Sequence, residues 1–499
     1  MALMDLALRT YFRFRQQRIE AVLADPMRYQ HKILKRLLQS NRGCAYGKAY
    51  DFGSVKDYND YKKALPLVVY EDVFPQIERM IDKEPNVLVS APVNWFAKSS
   101  GTTNDRSKYI PVTKNYLING HLKCTWTTAS IIYNEDPTAK LFEDKNLIMG
   151  GSLDRQSNGV TIGDISAIML HHFPKIGRRF ATPDFDTALI ANWDEKIKKI
   201  AAICAHEKVT LMGGVPTWTM VLIKEILSQT GAANLSEVWP DLKSYLHGGI
   251  GFEPYREAFK KYIPSDKVVY REVYNASEGY FGIQSHKDEE GVALLCDHEI
   301  FYEFIAHAQY EQDNQEILLL DEVDVGIDYV IVISNTSGLY RYVIGDVIQF
   351  VSIRPYKLKV VGRTQQHINV FGEELMVSNT DGALAEVCKR HGAEVHEYTV
   401  APIYMDNQNA GGHEWVIEFK KEPSSLSDFA RDLDSKLRQL NSDYDAKRFR
   451  DMAMRPLVIR PVSRGTIEQW QRKHNKYGNQ YKFPRLQNNR DLVESLVGC

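Results

Sequence analysis

The sequence predicts an α/β protein: a large N-terminal domain with mostly parallel sheets plus a β-barrel-like subdomain, followed by a small α+β C-terminal domain. Three observations carry this reading. From about residue 86 strand-like and helical segments take turns. Between about 292 and 362 they give way to short β-runs separated by turn residues. After "GEEL" (Gly372 to Leu375) the pattern becomes a smaller α+β one, so the boundary is set at about 373, giving a large domain over 1–373 and a small one over 374–499. A chain of 499 residues is too long for one small core, which agrees with two or more domains.

The elements follow in order. Leu6, Tyr11 and Phe12, then Ile19, Val22 and Leu23, then Ile33, Leu34, Leu37 and Leu38 recur at three-to-four spacing and predict a helical lead-in. "NVLVSAP" and "NWFAKSS" predict strands, and Thr113 can cap a helix through "KNYLINGHLKCTWTTASII". "NLIMGGS", the helix "WDEKIKKIAAICAHE" and "VTLMGGVPTWTMVLIKEILSQ" continue the alternation. The meander is read from "EILLLDE", "DYVIVIS", "LYRYVIGDVIQFVS" and "KLKVVG". Beyond the boundary come a helix near 379–391, strands "EYTVAPIYM" and "HEWVIEFK" around Gly411-Gly412, and the helix "LSDFARDLDSKLRQLNSDY".

Bulk properties exclude some partners. With 62 basic against 64 acidic residues the net charge is -2, so no global field attracts nucleic acid or an anionic membrane, and any anion site must be local. No apolar run approaches the roughly 20 residues needed to cross a bilayer. The start "MALMDLALRTYFRFRQQ" lacks signal-peptide organisation, and Cys44, Cys124, Cys204, Cys296, Cys388 and Cys499 are scattered without a C-x-x-C pair. A reducing cytoplasm is the expected location.

Four stretches can carry chemistry, and each also has a bland reading. In "SSGTTNDRSK" a glycine among hydroxyls, Ser99, Ser100, Thr102 and Thr103, leaves backbone N–H groups free for an anion, and Lys108 adds positive charge. Ser107 stands where a Walker loop requires its second glycine, and taken alone the stretch reads as a hairpin turn. In "LHGGIGFEPYREAF" Gly248-Gly249 would let a backbone lie flat against a planar ligand, or simply end a strand before a helix. "YREVYNASEGYFG" places Glu278 in a small-residue turn, where a carboxylate can hold a hard cation such as Mg2+ or be merely solvated. In "YRYVIGDVIQF" Asp346 can accept both hydroxyls of a ribose, or sit in a Gly-Asp bulge between strands. The adjacent His171 and His172 have no partner at a zinc interval and read as core or pocket-lining residues.

The order of the four stretches, followed by "VGRTQQHINVFGEE", resembles the adenylate-forming superfamily of acyl-CoA synthetases, luciferases and peptide-synthetase adenylation domains. Within it the sequence looks most like the plant auxin-responsive family of acyl acid amido synthetases and its bacterial relatives. "SSGTTNDRSKYIP" resembles that family's S-S-G-T-[TS]-x-x-x-x-K-x-x-P, "YNASEGYFGIQ" its Y-x-[AS]-S-E-x-Y-F-G-I, "YRYVIGD" its Y-R-x-x-x-G-D and "GNQYKFPRL" its N-Q-Y-K-x-P-R. The resemblance spans about residue 40 to 490, and "GRTQQHINVFGEE" looks more like the bacterial branch.

That resemblance implies an ATP- and Mg2+-dependent reaction in two steps. A small carboxylic acid attacks the α-phosphate of ATP, giving an acyl adenylate and pyrophosphate; an amine, expected to be an amino acid, then displaces AMP to form an amide. By match to the family motifs, Ser99, Ser100, Thr102 and Thr103 would bind phosphate with Lys108 nearby. Glu278 would hold Mg2+, and Asp346 the ribose. Gly248, Gly249, Tyr274 and Ala276 would border the adenine, with Ser277 in the same nucleotide site. Arg363 would reach the nucleotide, and Lys482 would be a mobile C-terminal lysine that approaches the α-phosphate during adenylation.

Two departures from the superfamily stand out: Asn104, Asp105 and Arg106 replace its glycine-rich run, and Gln365 replaces its hinge aspartate. The small domain is expected to swing between the half-reactions. The acyl pocket is expected among segments between Trp126 and Thr219, including "GVTIGDISAIML" and "GGVPTWTM". Two alternatives share these motifs: a thioester-forming acyl-CoA ligase, and a non-catalytic relative that binds a nucleotide or acyl ligand. No nucleic-acid or membrane partner is expected, and the oligomeric state expected is a monomer or small homo-oligomer.

Overall fold

The computed structural model describes residues 2–497 except 104, 105, 288, 311, 313, 314, 365, 407, 408 and 475–482; at 2–7, 9, 100–103, 106 and 107 it describes the backbone alone.

The lead-in is helical as its spacing predicts, with helices Ala2–Ala24 and Pro26–Asn41. Asp25 caps the second, accepting from the Arg28 N–H, and Pro26 opens it where a missing N–H costs nothing. Ile33, Leu34, Leu37 and Leu38 are buried against the large domain.

"NVLVSAP" is not a strand. Val87, Leu88 and Val89 are buried, but their carbonyls are taken by other elements: the Tyr46 N–H donates to Val87 O at 3.0 Å and the Tyr340 hydroxyl to Leu88 O at 2.6 Å. Burial and backbone satisfaction are both met without a sheet partner, so an apolar run here misleads a reading based on pattern.

A 12-stranded sheet forms the centre of the large domain. Its strands Ala181–Thr182, Lys145–Ile148, Val209–Gly213, Ser244–Gly248 and Val269–Ala276 run parallel in that spatial order. Gly279–Ile283 then pairs antiparallel with Val269–Ala276, and the rest of the sheet through Val292–Leu294, Tyr356–Arg363, Tyr342–Ile353, Asp328–Asn335, Ile300–Ala306 and Ile317–Leu318 is antiparallel. Parallel pairing is therefore confined to the half that alternates with helices. The stretch expected as a barrel-like subdomain extends the same sheet as a meander. The chain reverses direction at Ser277-Glu278, so Glu278 stands where parallel pairing changes to antiparallel.

A second, 4-stranded sheet holds the hydroxyl-rich stretch: Trp95–Thr103 pairs antiparallel with Arg106–Val112 and parallel with Thr161–Gly163.

The C-terminal portion packs helices Val377–His391 and Leu426–Leu440 against a 3-stranded sheet of Glu394–Ile403, Gly412–Lys421 and Val458–Val462. Trp415 is fully buried there and stacks on Tyr398 with ring centroids 5.5 Å apart. Its core is continuous with that of the parallel half through Phe371 and the Pro216–Thr230 helix. Thr217 Oγ1 donates to Phe371 O at 3.1 Å, and Arg450 pairs with Asp194 at 2.6 Å. Helix Ser442–Lys447 of the C-terminal portion consequently faces the large domain.

Candidate active site

The hydroxyl-rich stretch is a hairpin, as the bland reading holds, and its register still serves the functional one. Ser99 pairs across the hairpin with Lys108, which brings a hydroxyl and an ammonium together at one end of the ladder. The Lys108 ammonium lies 5.6 Å from the Tyr70 ring centroid, and Tyr70 accepts the Tyr109 N–H at 2.7 Å, fixing this strand. The side chains of Ser100, Thr102 and Thr103 lie outside the described residues, as do Asn104 and Asp105.

The Glu278 turn is built by neighbours that the motif did not include. Tyr116, in the first turn of the helix that Thr113 caps, donates its hydroxyl to Glu278 O at 2.6 Å, and Asn335 Nδ2 donates to the same oxygen at 3.1 Å. Ser277 Oγ donates to Lys98 O at 3.3 Å, tying the turn to the hairpin strand. A Cβ at Gly279 would come within 2.6 Å of both the Tyr116 hydroxyl and Ile300 Cδ1, so only glycine allows the approach. Glu278 is 4% exposed. Burial raises its carboxyl above the usual range, Asp346 adds to that, and Lys108 and Arg363 oppose it.

Asp346 is held from two sides. The Tyr274 hydroxyl donates to Oδ2 at 2.6 Å, and Arg363 Nε lies 2.9 Å from Oδ1. Asp346 and Arg363 are register partners on adjacent strands, so the pairing is set by the ladder itself. Arg363 also reaches Glu374 at 3.8 Å. Tyr274, expected at the adenine, is buried with its hydroxyl committed to Asp346 and its ring 4.7 Å from that of Phe281. Half-buried Ala276 ends the same strand.

Gly248 lies opposite Val273 in the parallel ladder, where a Cβ would sit 2.4 Å from Val273 O. Gly248-Gly249, Ala276 and the Glu278 turn thus share the carboxyl ends of neighbouring parallel strands, the position at which open α/β sheets bind ligands. The charges of Lys108, Arg363 and Asp346 act on the Glu278 carboxyl. Lys482 lies outside the described residues. Arg485, three positions on, is anchored to Asp381 at 2.7 Å and Glu397 at 3.0 Å.

His171, tilted, and His172, edge-on, pack against Trp95 at 4.9 and 4.5 Å between centroids, on the hairpin's first strand. Among the described residues no three His, Cys, Asp or Glu side chains cluster to hold a metal ion.

Sequence reasoning missed several residues. Tyr116 and Asn335 carry no local signal, because their partner is a backbone oxygen far along the chain. Arg341 was visible in "YRYVIGD" but given no role; it adopts a positive φ of 48° and forms a buried pair with Glu303 at 3.0 Å. Asp443 and Lys447 face the large domain from the short helix Ser442–Lys447.

Comparison with known proteins places the chain in a family. The sequence profile of the GH3 family N-terminal domain matches residues 15–191 and 186–268, that of the central domain 293–363, and that of the C-terminal domain 378–491. The chain belongs to the GH3 family. Its relatives include the indole-3-acetic acid-amido synthetase GH3.3 of Arabidopsis thaliana, 23% identical with 94% of this chain and 90% of the relative covered. Another is the jasmonoyl--L-amino acid synthetase GH3.5 of Oryza sativa subsp. japonica, 23% identical with 94% of each chain covered. Among solved structures, a GH3.15 acyl acid amido synthetase superposes with TM-score 0.61 at 17% identity, covering 97% of this chain and 95% of that one. A 2-hydroxyisobutyryl-CoA ligase in complex with its acyl adenylate and CoA gives TM-score 0.54 at 13% identity, covering 97% and 93%. This GH3 chain therefore has the adenylate-forming fold, with the Glu278 turn and the Asp346–Arg363 pair on interior strands of its large sheet.

Proposed function

We propose that this GH3 chain is an ATP-dependent acyl acid amido synthetase, which activates a small carboxylic acid as its adenylate and passes the acyl group to an amino acid. The observation that carries the reading is the Tyr274–Asp346–Arg363 assembly beside the buried Glu278 turn, in a family whose named relatives include amido synthetases. Asp346 presents a carboxylate for the ribose hydroxyls, held in place by Tyr274 and Arg363. Ser99 and Lys108 supply a hydroxyl and a cation for phosphate, joined by Ser100, Thr102 and Thr103. Such a reaction depends on positioning and charge neutralisation more than on covalent help from the protein.

Glu278 fits a Mg2+ site of the sparse kind, in which one or two carboxylates share the ion with substrate phosphates. When bound there, Mg2+ would neutralise charge on the triphosphate. Glu278 and Lys108 hold opposite charges toward the same space. Lys482 is assigned to the α-phosphate during adenylation, and a swing of the C-terminal portion to bring it in and out is part of the proposal. Unpaired Cys44, Cys124, Cys204, Cys296 and Cys388 support a cytoplasmic location. No described helix is long and apolar enough to cross a membrane.

The second reading, a thioester-forming ligase, draws on the likeness of fold to the 2-hydroxyisobutyryl-CoA ligase. Incubation with ATP, Mg2+ and a panel of carboxylic acids, with either amino acids or coenzyme A as acceptor, separates the two. Amide is the expected product; thioester without amide would replace the first reading by the second.

A further inference from the structure

Helix Ser442–Lys447 is positioned with unusual care for six residues. The Asn441 side chain caps it, accepting from the Asp443 and Tyr444 N–H groups at 3.0 and 2.8 Å, and its Nδ2 donates to Glu374 O at 3.1 Å. The same side chain therefore ties the helix to the segment whose Glu374 carboxylate reaches Arg363 and, through it, Asp346. One turn along, Lys447 is 7% exposed, with its ammonium 4.9 Å from the Trp218 ring centroid. Its Cε and Nζ pack on Gly372, where a Cβ would meet both at 3.0 Å. Trp218 is itself stacked on Trp193 at 4.2 Å, and Lys196 lies over the far ring at 4.5 Å, so Lys447 docks onto a rigid aromatic platform.

The neighbouring carboxylates are occupied. Asp346 has Tyr274 and Arg363; Glu373 accepts the Val370 and Phe371 N–H groups and pairs with His413; Asp434 takes Tyr444 and Arg448; Asp164 accepts the Ser152 N–H at 2.7 Å. Asp443 differs: its Oδ2 is buried and has no hydrogen-bond partner among the described residues. A buried acceptor without a donor is costly unless something arrives to supply one.

Resting on the amido synthetase reading, we propose that Asp443 is the proton acceptor for the incoming amine in the amide-forming step, with Lys447 docked on Trp218 as the residue that positions it. The acceptor arrives as an ammonium, whose nitrogen has no free pair. Asp443 takes one proton, becoming the carboxylic acid, and leaves a neutral amine. The nitrogen forms its bond to the acyl carbon, the bond from that carbon to the phosphate oxygen breaks, and the electron pair departs with AMP. The nitrogen then loses its second proton to solvent as the amide forms.

The groups that face Asp443 suit this role. Burial and Glu374 push its carboxyl up, Lys447 opposes them, Asp164 adds to the rise and Lys98 offsets it, leaving it at about 7. A base performs best with a pKa near the working pH. Lys98 belongs to the hairpin strand next to Ser99, so the charge on that strand acts on Asp443 of the C-terminal portion.

The test compares Asp443→Asn with the natural enzyme in two reactions: amide formation with an amino acid, and hydroxamate formation with hydroxylamine, whose nitrogen is already unprotonated near neutral pH. The ratio of the amino-acid rate to the hydroxylamine rate is expected to fall about 100-fold in the variant. In the natural enzyme the amino-acid rate should rise with pH through about 7, while the hydroxylamine rate should lack that limb. Asp443→Glu, which keeps a carboxylate, should recover part of the ratio. An unchanged ratio in Asp443→Asn, whether both rates fall or neither does, would overturn the assignment. Should Asp443→Asn fail to fold, the limb in the natural enzyme decides: the same limb with both acceptors overturns it. Absence of acid-dependent pyrophosphate exchange in the natural enzyme would instead overturn the amido synthetase reading and this inference together.

Discussion

Arg363 Nε lies 2.9 Å from Asp346 Oδ1, and the two residues are register partners on neighbouring antiparallel strands. The strand pairing that builds the sheet thus also builds the pair proposed to meet the nucleotide. Burial works against the Arg363 charge, but Asp346, Glu374 and Glu278 outweigh it and keep the guanidinium protonated.

Asp346→Asn should weaken this pair and leave the ribose a poorer acceptor. KM for ATP is expected to rise about tenfold, since a hydrogen bond to a charged group contributes roughly 1.5–3 kcal/mol. Initial rates over a range of ATP concentrations measure it, and an unchanged KM would remove the ribose role.

Glu278→Gln keeps the shape of the turn and removes its charge. Because Tyr116 and Asn335 grip the backbone oxygen and not the carboxylate, thermal stability should hold within about 1 kcal/mol of the natural protein. Acid-dependent pyrophosphate exchange should fall about 100-fold or more, as expected when charge stabilisation at the reacting centre is lost. Exchange at the natural rate would dismiss the metal role.

Gly279→Ala tests the architecture beneath the site. The new methyl group must displace Tyr116 or Ile300, at a cost of about 1–3 kcal/mol in urea unfolding. A variant as stable as the natural protein would show that the turn is not packed as described.

Two buried histidines predict loss of stability in acid. Burial lowers His121 to about 3, with nearby His298 contributing, and lowers His247 to about 3, with Arg256 contributing. Both are neutral in the folded and unfolded states above the ordinary histidine value of roughly 6.5. As pH falls from there toward 3 the unfolded chain gains protons that the folded chain refuses, and stability drops by about 1.4 kcal/mol per pH unit for each histidine. His247 packs on Phe252 at 4.1 Å and His121 against Tyr116 at 4.9 Å. Urea unfolding at pH 7 and pH 5.5 should give a smaller difference in His247→Phe than in the natural protein; an identical difference would reject the histidine as a source of the acid sensitivity.

Much of this site was legible because its chemistry lies in short contiguous motifs. Glu278 follows a strand and precedes a glycine, Asp346 follows a glycine inside a strand, and both local patterns survive folding. The hairpin Trp95–Thr103 and Arg106–Val112 was readable for the same reason. "NVLVSAP" was misread because an apolar run announces burial without saying who takes its carbonyls. The meander's attachment to the parallel strands could not be read either, since a sheet edge and a barrel seam use the same alternation. Tyr116, Asn335, Asp443 and Lys447 reach the site only through tertiary packing, and no spacing in the sequence connects them to it.

Activation of the carboxylic acid as an adenylate is proposed to take place at the Glu278 and Asp346 site. Acid labelled with oxygen-18 in its carboxylate, converted to amide with ATP and an amino acid, tests this most directly when the products are weighed by mass spectrometry. One labelled oxygen is expected in AMP. Label in inorganic phosphate, or amide formed with no label in AMP, would contradict it.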